Sequence, residues 1–244
     1  MSHIIITGHS RGVGAALAEN LLTRGYHVLG IARRNNADLA SRFPGQLSEL
    51  AIDLSEPARL IEWLGTPALK TFLTPAKSAC LINNAGLLQP VGPLGTQDSE
   101  ALVRSIAVNV TAPLLLANAF ETVAPKGIER RILHISSGVG RRPCAGWSVY
   151  SASKAALDQH ARSAALDQVA GLQIASLAPG VIDTDMQQEI RASDPEKFPP
   201  LAMFHALKRD GLLSSPATCA EKIVGYLLGA EFSNGAVVDV RDMA

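Results

Sequence analysis

The fold of this chain is decided by the stretch Ile4-Ile5-Ile6-Thr7-Gly8-His9-Ser10-Arg11-Gly12-Val13-Gly14. Its apolar start predicts a buried strand over residues 3–7, and a helical pattern of apolar residues follows the last glycine. Glycines between a strand and a helix let the backbone approach a pyrophosphate, which binds to the free N–H groups at the start of the helix. The spacing is G-x-x-x-G-x-G, which differs from the commoner G-x-G-x-x-G pattern of dinucleotide sites. The stretch therefore predicts a binding site for a phosphate-bearing cofactor.

Apolar strands and helical patterns alternate along the rest of the chain. We predict further strands at residues 26–32, 50–54, 80–82, 131–135, 172–178 and 235–240, and helices at 97–122, 150–169 and 216–229. Ser55 is expected to cap one more helix, with Pro57 near its start. Such alternation is typical of a doubly wound parallel sheet. The sequence therefore predicts a single-domain α/β Rossmann fold of about seven strands over residues 1–244.

Composition and charge narrow the classes of partner. Lys plus Arg and Asp plus Glu both number 22, so the formal net charge is zero, and a nucleic-acid or anionic-membrane surface is not expected. The first apolar run is too short for a signal peptide or a membrane span. Cys80, Cys144 and Cys219 cannot all pair and form no C-x-x-C motif, which favours a reducing, cytoplasmic environment. No metal site is predicted.

Arginines near the end of the second predicted strand indicate which cofactor binds. Many NAD-binding folds carry an acidic residue there, which holds the ribose 2′-hydroxyl. This chain has Arg33 and Arg34 instead, and Arg11 inside the glycine turn. Guanidinium groups suit a 2′-phosphate because they add charge and bidentate geometry. The sequence therefore predicts NADPH or NADP+, with Arg33 in direct contact, Arg11 assisting, Arg34 in solvent, and Asp53 bordering the adenine.

Tyr150 and Lys154 stand four residues apart, so they share one face of a predicted helix. The phenol of an isolated tyrosine titrates at about 10, and a neighbouring cation favours its ionised form. Such a pair alone is also compatible with an ordinary solvated helix face. Combined with the cofactor turn, and with Ser137 at the end of an apolar strand, it predicts the proton donor of a redox site.

Two stretches are expected to depart from regular structure. Pro113 lies inside the long predicted helix, where it removes one backbone hydrogen bond and crowds the carbonyl of Asn109. The main chain near Asn109 should therefore be irregular and free to bind water. Residues 185–215 are polar and contain several prolines, which predicts a mobile segment that covers the site.

Together these motifs resemble those of the short-chain dehydrogenase/reductase family, in the family's order and over the whole chain. The matching motifs are Thr7-Gly8-x-x-x-Gly12-x-Gly14, Asn83-Asn84-Ala85-Gly86, Ser137, Tyr150-x-x-x-Lys154 and Pro179-Gly180. The resemblance implies that Tyr150 is the general acid of carbonyl reduction and that Ser137 orients the substrate oxygen. It implies that Lys154 lowers the pKa of the tyrosine and binds the nicotinamide ribose, while Asn109 holds a water of a proton relay. It also implies a homodimer or homotetramer that associates through the helices of Asn109 and Tyr150.

The cofactor contacts follow from the same motifs. They are assigned to Gly8, Ser10, Arg11, Gly12, Val13, Gly14, Arg33, Asp53, Leu54, Asn83, Ala85, Gly86, Tyr150, Lys154, Pro179, Gly180, Val181 and Thr184.

Within the family, three stretches are most similar to sepiapterin reductases and bacterial benzil reductases, namely residues 146–150, 178–188 and 234–239. This resemblance implies a vicinal dicarbonyl substrate, either a pterin side chain or an aromatic 1,2-diketone. Asp239 matches an aspartate that anchors the pterin ring in sepiapterin reductases, although it could equally be a carboxylate that ends the last strand. Trp147 and Met186, with Ser137 and Tyr150, are the other expected substrate contacts. The alternatives are a broader ketone reductase and a sensor that binds NADP(H) without turnover.

Overall fold

Seven parallel strands form one sheet in a computed structural model that describes residues 2–243. In chain order they are β1 (Ser2–Thr7), β2 (His27–Ala32), β3 (Leu47–Ala51), β4 (Ser78–Asn83), β5 (Glu129–Ile135), β6 (Leu172–Ala178) and β7 (Val237–Asp239). Across the sheet they run β3-β2-β1-β4-β5-β6-β7, so the order reverses between β1 and β4. Open α/β sheets bind ligands at the carboxyl ends of the strands beside such a reversal. The predicted doubly wound fold is confirmed, and the glycine-rich turn after β1 lies at that point.

Helices cover both faces of the sheet. They are α1 (Gly12–Thr23), α2 (Ala37–Arg42), α3 (Pro57–Leu64), α4 (Ala68–Leu73), α5 (Ser99–Ile106), α6 (Ala112–Val123), α7 (Ser148–Ala165), α8 (Asp185–Arg191), α9 (Leu201–Arg209) and α10 (Pro216–Leu228). The short helices α2 and α4 were not expected from the sequence.

Strand β1 supplies side chains to both layers of the core. Ile4 and Ile6 pack in one cluster with Leu21 of α1, whereas Ile5 packs in the other cluster with Phe120 of α6. Successive side chains of a strand point to opposite faces, so a strand covered by helices on both sides is apolar throughout. The unbroken apolar run before the glycine turn therefore fixes that turn on a rigid support.

The third strand and the helix after it begin at residues other than those predicted. β3 ends at Ala51, which pairs with Ala32, the last residue of β2, and the next residue, Ile52, donates its backbone N–H to the Ala32 carbonyl at 2.9 Å. Asp53 then accepts hydrogen bonds from the backbone N–H and the hydroxyl of Ser55, at 2.9 and 2.8 Å. Ser55 therefore does not cap α3, and Glu56 occupies the N-cap position.

The long helix around Asn109 is present and is irregular where expected. α5 continues into α6 through a π-helical turn, Ala107–Thr111, which immediately precedes Ala112 and Pro113. The run Ser99–Val123 is long and apolar enough to cross a membrane by composition alone. Its residues Leu116 and Phe120 are buried against the sheet, as in the core helix of a globular domain.

Residues 185–215, predicted as an irregular segment, contain the helices α8 and α9. A single bridge between Ile182 and Ser214 closes the base of the segment. Phe198 and Phe204 turn inward and pack beside Tyr150. The segment therefore covers this end of the sheet, and its mobility remains a prediction.

Candidate active site

The glycine turn is too tight for any residue larger than glycine at two positions. A Cβ added at Gly14 would lie 2.0 Å from the carbonyl oxygen of Gly8, and Gly8 itself has a φ of +73°. α1 starts immediately after Arg11, which forms no side-chain cap, so the first N–H groups of the helix remain available to an anion. The residues present therefore fit the pyrophosphate of a dinucleotide.

The loop after β4 is fastened to this turn through Thr7. The Thr7 hydroxyl accepts hydrogen bonds from the backbone N–H groups of Asn84 and Ala85, at 2.9 and 3.0 Å. The Asn84 amide donates to the Thr7 carbonyl at 2.9 Å. Two loops that follow adjacent strands are thereby held at a fixed separation beside the cofactor position.

Asn83, predicted to contact the cofactor, has its side chain inside the fold, so the predicted contact would fall to its main chain. Its amide nitrogen lies 3.1 Å from Nδ1 of His134 and 3.4 Å from the carbonyl oxygen of Pro113. Burial, with His160 and Lys154 nearby, lowers the pKa of His134 to about 3, so the imidazole is neutral near pH 7. The amide therefore joins β4 to β5 and to the first turn of α6. Leu54 is likewise buried among the core side chains.

Ser137, Tyr150 and Lys154 come together at the carboxyl end of β5. The Ser137 hydroxyl lies beside the phenol of Tyr150 and lowers its pKa. The ammonium of Lys154 donates to the carbonyl oxygen of Ile135 at 2.8 Å and lies 5.6 Å from the centre of the Tyr150 ring. Tyr150 and Lys154 are 8% and 3% exposed, so water scarcely reaches either group. A hydroxyl, a phenol and an ammonium thus lie together where little water reaches.

Burial controls the proton affinities of these groups. It raises the pKa of Tyr150 to about 12, against the opposing hydrogen bond from Ser137. It lowers the pKa of Lys154 to about 8, against the opposing charge of Asp158. Desolvation of the phenolate is the largest of these effects on Tyr150, and the expected effect of Lys154 on the pKa of the tyrosine stays a prediction. A neutral phenol is nevertheless the form that can donate a proton to a substrate.

Asn109 is buried in the π turn, and its side chain is fully engaged. Its Oδ1 accepts from the backbone N–H of Leu87 at 2.7 Å, while its Nδ2 donates to the Leu87 carbonyl at 2.8 Å. Nδ2 also lies 3.2 Å from the hydroxyl of Ser153, on α7. The amide therefore ties the π turn to the loop after β4. The predicted relay water would have to bind the irregular main chain near Asn109, because the side chain is occupied. Gly86 lies between this amide and Lys154: its Cβ would be 3.5 Å from each.

An open cleft of about 500 Å³ lies at the end of β3. Its lining residues are Arg33, Ala51, Ile52, Asp53, Arg59 and Glu62. Arg33 is exposed there, as expected of a residue that meets a ribose phosphate. Arg59 was missed by sequence reasoning, since only the packing of α3 brings it to the cleft; its guanidinium is 2.7 Å from Glu56.

Arg11 does not reach this cleft in the structure. Its guanidinium lies 2.7 Å from the carboxylate of Asp185, the first residue of α8. Both side chains are exposed, at 71% and 63%, so the pair contributes only about 0–1 kcal/mol. A phosphate could therefore replace Asp185 as the partner of Arg11.

The loop after β6 lies against the glycine turn, and its predicted cofactor contacts stay a prediction. A Cβ at Gly12 would approach the methyl group of Thr184 at 3.6 Å. Gly180, with a φ of +79°, turns the chain after β6. The remaining assigned residues of the two loops are Ser10, Val13, Pro179 and Val181, and none of them is fully buried.

Aromatic side chains form one wall beside Tyr150. The Trp147 ring stacks on Phe198 with centroids 4.7 Å apart, and its edge meets Tyr150 at 5.6 Å. Phe204 lies 5.3 Å from Trp147, and Met186 packs against the same cluster. Phe198 and Phe204 were not predicted, because they are isolated apolar residues in a polar, proline-containing stretch.

Asp239, the expected pterin anchor, is already engaged by Arg241. Its carboxylate accepts from Nε and Nη2 of Arg241 at 2.8 and 2.6 Å, and from the Arg241 backbone N–H at 3.0 Å. These hydrogen bonds lower the pKa of Asp239 despite its burial. The carboxylate therefore ends the last strand and fixes the tail in this structure.

The chain is similar to known proteins across all of these elements. The sequence model of the family described as short chain dehydrogenase matches residues 2–195. Identity to the benzil reductase ((S)-benzoin forming) of Bacillus cereus is 33%, over 99% of this chain and 100% of that protein. Identity to the sepiapterin reductase of Meriones unguiculatus is 34%, over 98% of this chain and 95% of that protein. A crystal structure of a short-chain dehydrogenase/reductase from Burkholderia vietnamiensis superposes with a TM-score of 0.73 at 45% identity, covering 80% of this chain and 93% of that one.

Proposed function

The chain belongs to the short-chain dehydrogenase/reductase family, and we propose that it is an NADPH-dependent carbonyl reductase whose substrates are aromatic vicinal diketones. The observation that carries the proposal is the dry cluster of Ser137, Tyr150 and Lys154 beside the glycine turn. A sensor that binds NADP(H) without turnover could use Lys154 to hold the nicotinamide ribose, but it would not need the buried phenol of Tyr150 with the Ser137 hydroxyl beside it.

In the proposed reaction the chain's own residues handle the proton and the oxygen. The Ser137 hydroxyl donates a hydrogen bond to the substrate carbonyl and fixes its orientation. The neutral phenol of Tyr150 gives its proton to the developing alkoxide, as a general acid. The positive charge of Lys154 stabilises the phenolate that remains, in a site from which water is excluded. Bound NADPH would supply the hydride.

Two features of the pocket favour an aryl diketone over a pterin. The rings of Trp147, Phe198 and Phe204 pack against one another at 4%, 0% and 6% exposure, and they would meet an aromatic substrate ring once the segment 185–215 opens. The carboxylate of Asp239, which a pterin's N–H groups would need, is held by Arg241. An NADPH-oxidation screen with benzil, sepiapterin and simple monoketones tests the proposal. We expect the highest kcat/KM with benzil; equal values for monoketones would support the broader ketone reductase.

Asp239→Ala separates the two substrate classes. Asp239 pairs with Arg241, whose side chain is 59% exposed. We therefore expect the substitution to lower the free energy of unfolding by about 1 kcal/mol or less, which lowers Tm by about 2–4 °C at most. The KM for benzil should stay within a few-fold of wild type. Thermal unfolding and steady-state kinetics measure both effects.

Arg241→Met is the matched control for that variant, since it breaks the same pair but keeps the carboxylate. If Asp239 binds a pterin, Asp239→Ala raises the KM for sepiapterin sharply. Arg241→Met, which releases the carboxylate from the guanidinium, lowers the KM for sepiapterin. That pair of results would contradict the preference for diketones.

We further propose that the enzyme is a homodimer that associates through α5 and α7. Leu102 and Val103 expose apolar surface on α5, at 37% and 65%. On α7, Ala155 and Ala156 are half-buried small residues, which permit close helix packing. Sedimentation velocity at micromolar concentration should give a dimer or a larger assembly, and Val103→Asp should shift it towards monomer. A monomeric wild type would contradict the proposal.

The segment 185–215 is proposed to open and close over the substrate, since it carries the aromatic wall. We also propose a reducing, cytoplasmic setting, in which Cys80, Cys144 and Cys219 would stay free, as they are in the structure.

A further inference from the structure

Asp158 lies one helical turn after Lys154 on α7, on the side that faces β6. Its side chain is 2% exposed, and one carboxylate oxygen accepts from the hydroxyl of Ser176 at 2.6 Å. The other oxygen, Oδ2, has no hydrogen-bond partner among the described residues. The nearest cation to it is Arg141, whose Nε is 3.9 Å away. A carboxylate held in this way is unusual, because buried charges are normally fully paired.

The backbone that carries Ser137 packs directly on this carboxylate. A Cβ at Gly140, in the 3-10 turn Gly138–Gly140, would lie 3.0 Å from Oδ2 of Asp158. This Cβ at Gly140 would also lie 3.0 Å from the carbonyl carbon of Lys154. The turn after Ser137 therefore packs closely against Asp158 and α7, and it helps to bury the carboxylate.

We propose that Asp158 is a positioning residue that holds Lys154 in its protonated form inside the desolvated active site. The inference rests on the proposed function, in which the charge of Lys154 stabilises the Tyr150 phenolate. Asp158 does not touch the reacting atoms; it acts through Lys154, and Ser176 fixes its orientation.

Among the groups around Lys154, Asp158 supplies the negative charge that keeps the ammonium protonated. Tyr150, on the same helix, is a neutral phenol, and His134, facing Lys154 from β5, is a neutral imidazole. The contact of the ammonium with Ile135 is a carbonyl dipole and carries no net charge. Asp158 is the group that raises the pKa of Lys154, and burial lowers this pKa to about 8 even with the carboxylate in place. Without that carboxylate, the ammonium would lose its proton close to neutral pH.

Asp158→Asn tests the inference, since the amide keeps the shape and can still accept from Ser176. An opposite charge nearby typically shifts a pKa by about 1–3 units, so the pKa of Lys154 should fall by about one unit or more. Lys154 is charged below its pKa, so the alkaline limb of the kcat/KM profile should move to lower pH by the same amount. Titrating the Lys154 side-chain NMR signal in the cofactor-free protein measures the pKa directly.

Two further variants keep the test decisive if Asp158→Asn folds poorly. Ser176→Ala removes the hydroxyl but keeps the charge, so the pKa of Lys154 should stay near its wild-type value. Arg141→Gln removes the cation beside Asp158 and should raise that pKa, whereas Arg142→Gln, with the same change of charge at an exposed neighbour, should not.

A merely structural role gives a different result. It would lower Tm and reduce kcat at every pH while leaving the titration of Lys154 in place, and that outcome overturns the inference. So does an Arg141→Gln titration identical to that of Arg142→Gln. The titration needs neither cofactor nor substrate, so its result does not depend on the carbonyl reductase activity. If the proposed activity is wrong, the substrate screen shows it separately.

Discussion

Tyr150→Phe is expected to lower kcat for carbonyl reduction by about a hundred- to ten-thousand-fold, the usual contribution of a general acid. The substitution removes one oxygen and keeps the ring that packs against Trp147, so the pocket should retain its shape. Since the pKa of Tyr150 is about 12, the lost group is a neutral proton donor over the whole working range of pH. The Kd for NADPH should change by no more than a few-fold, because the glycine turn and Arg33 are untouched. Steady-state NADPH oxidation and a fluorescence titration of the cofactor measure the two quantities.

The matched control for this variant is Tyr226→Phe. Tyr226 lies on α10 and is as buried as Tyr150, at 8% exposure for each. It packs in the core cluster on the other side of the sheet, away from Ser137 and Lys154. Its loss of a hydroxyl should therefore leave kcat unchanged. A Tyr150→Phe enzyme with turnover within a few-fold of wild type would remove the phenol from the mechanism.

The succession of strands and helices along the chain and the position of the glycine turn could be predicted because they depend on local patterns. An apolar run, a set of glycines with fixed spacing and a helical period each show in a short stretch of sequence, and parallel α/β topology follows from their alternation. β3 was misplaced because its end depends on where its partner β2 stops, which is a property of the pairing.

The active-site cluster could be predicted in its members but not in its energetics. Tyr150 and Lys154 are adjacent by helical spacing, so their meeting was visible in the sequence. Their shifted pKa values arise from burial by segments distant in the chain, which no local pattern encodes. For the same reason, neither the engagement of Asp239 by Arg241 nor the contacts of Phe198 could be foreseen.

Arg33→Asp is the other change expected to have a large effect, here on the choice of cofactor. Arg33 is exposed at a cleft that Asp53 also lines, and the ribose of a bound dinucleotide would carry its 2′-phosphate there. A charge-assisted hydrogen bond is worth roughly 1.5–3 kcal/mol, so losing it should weaken NADPH by about ten- to over a hundred-fold. The new carboxylate repels the phosphate but can accept from a ribose 2′-hydroxyl. The Kd for NADH should therefore stay the same or fall.

Arg34→Asp is the matched control, since it makes the same change of charge one residue later, outside the lining of the cleft. If the effect came only from the general electrostatic field, both variants would weaken NADPH equally, and less so at higher salt. A specific contact predicts a large loss for Arg33→Asp and a small one for Arg34→Asp, with NADH almost unaffected in both. Equal Kd values for NADPH in the wild type and Arg33→Asp would transfer the role to Arg59, at the same cleft, or to Arg11. Arg11 would then have to leave Asp185, a partner that holds it only weakly.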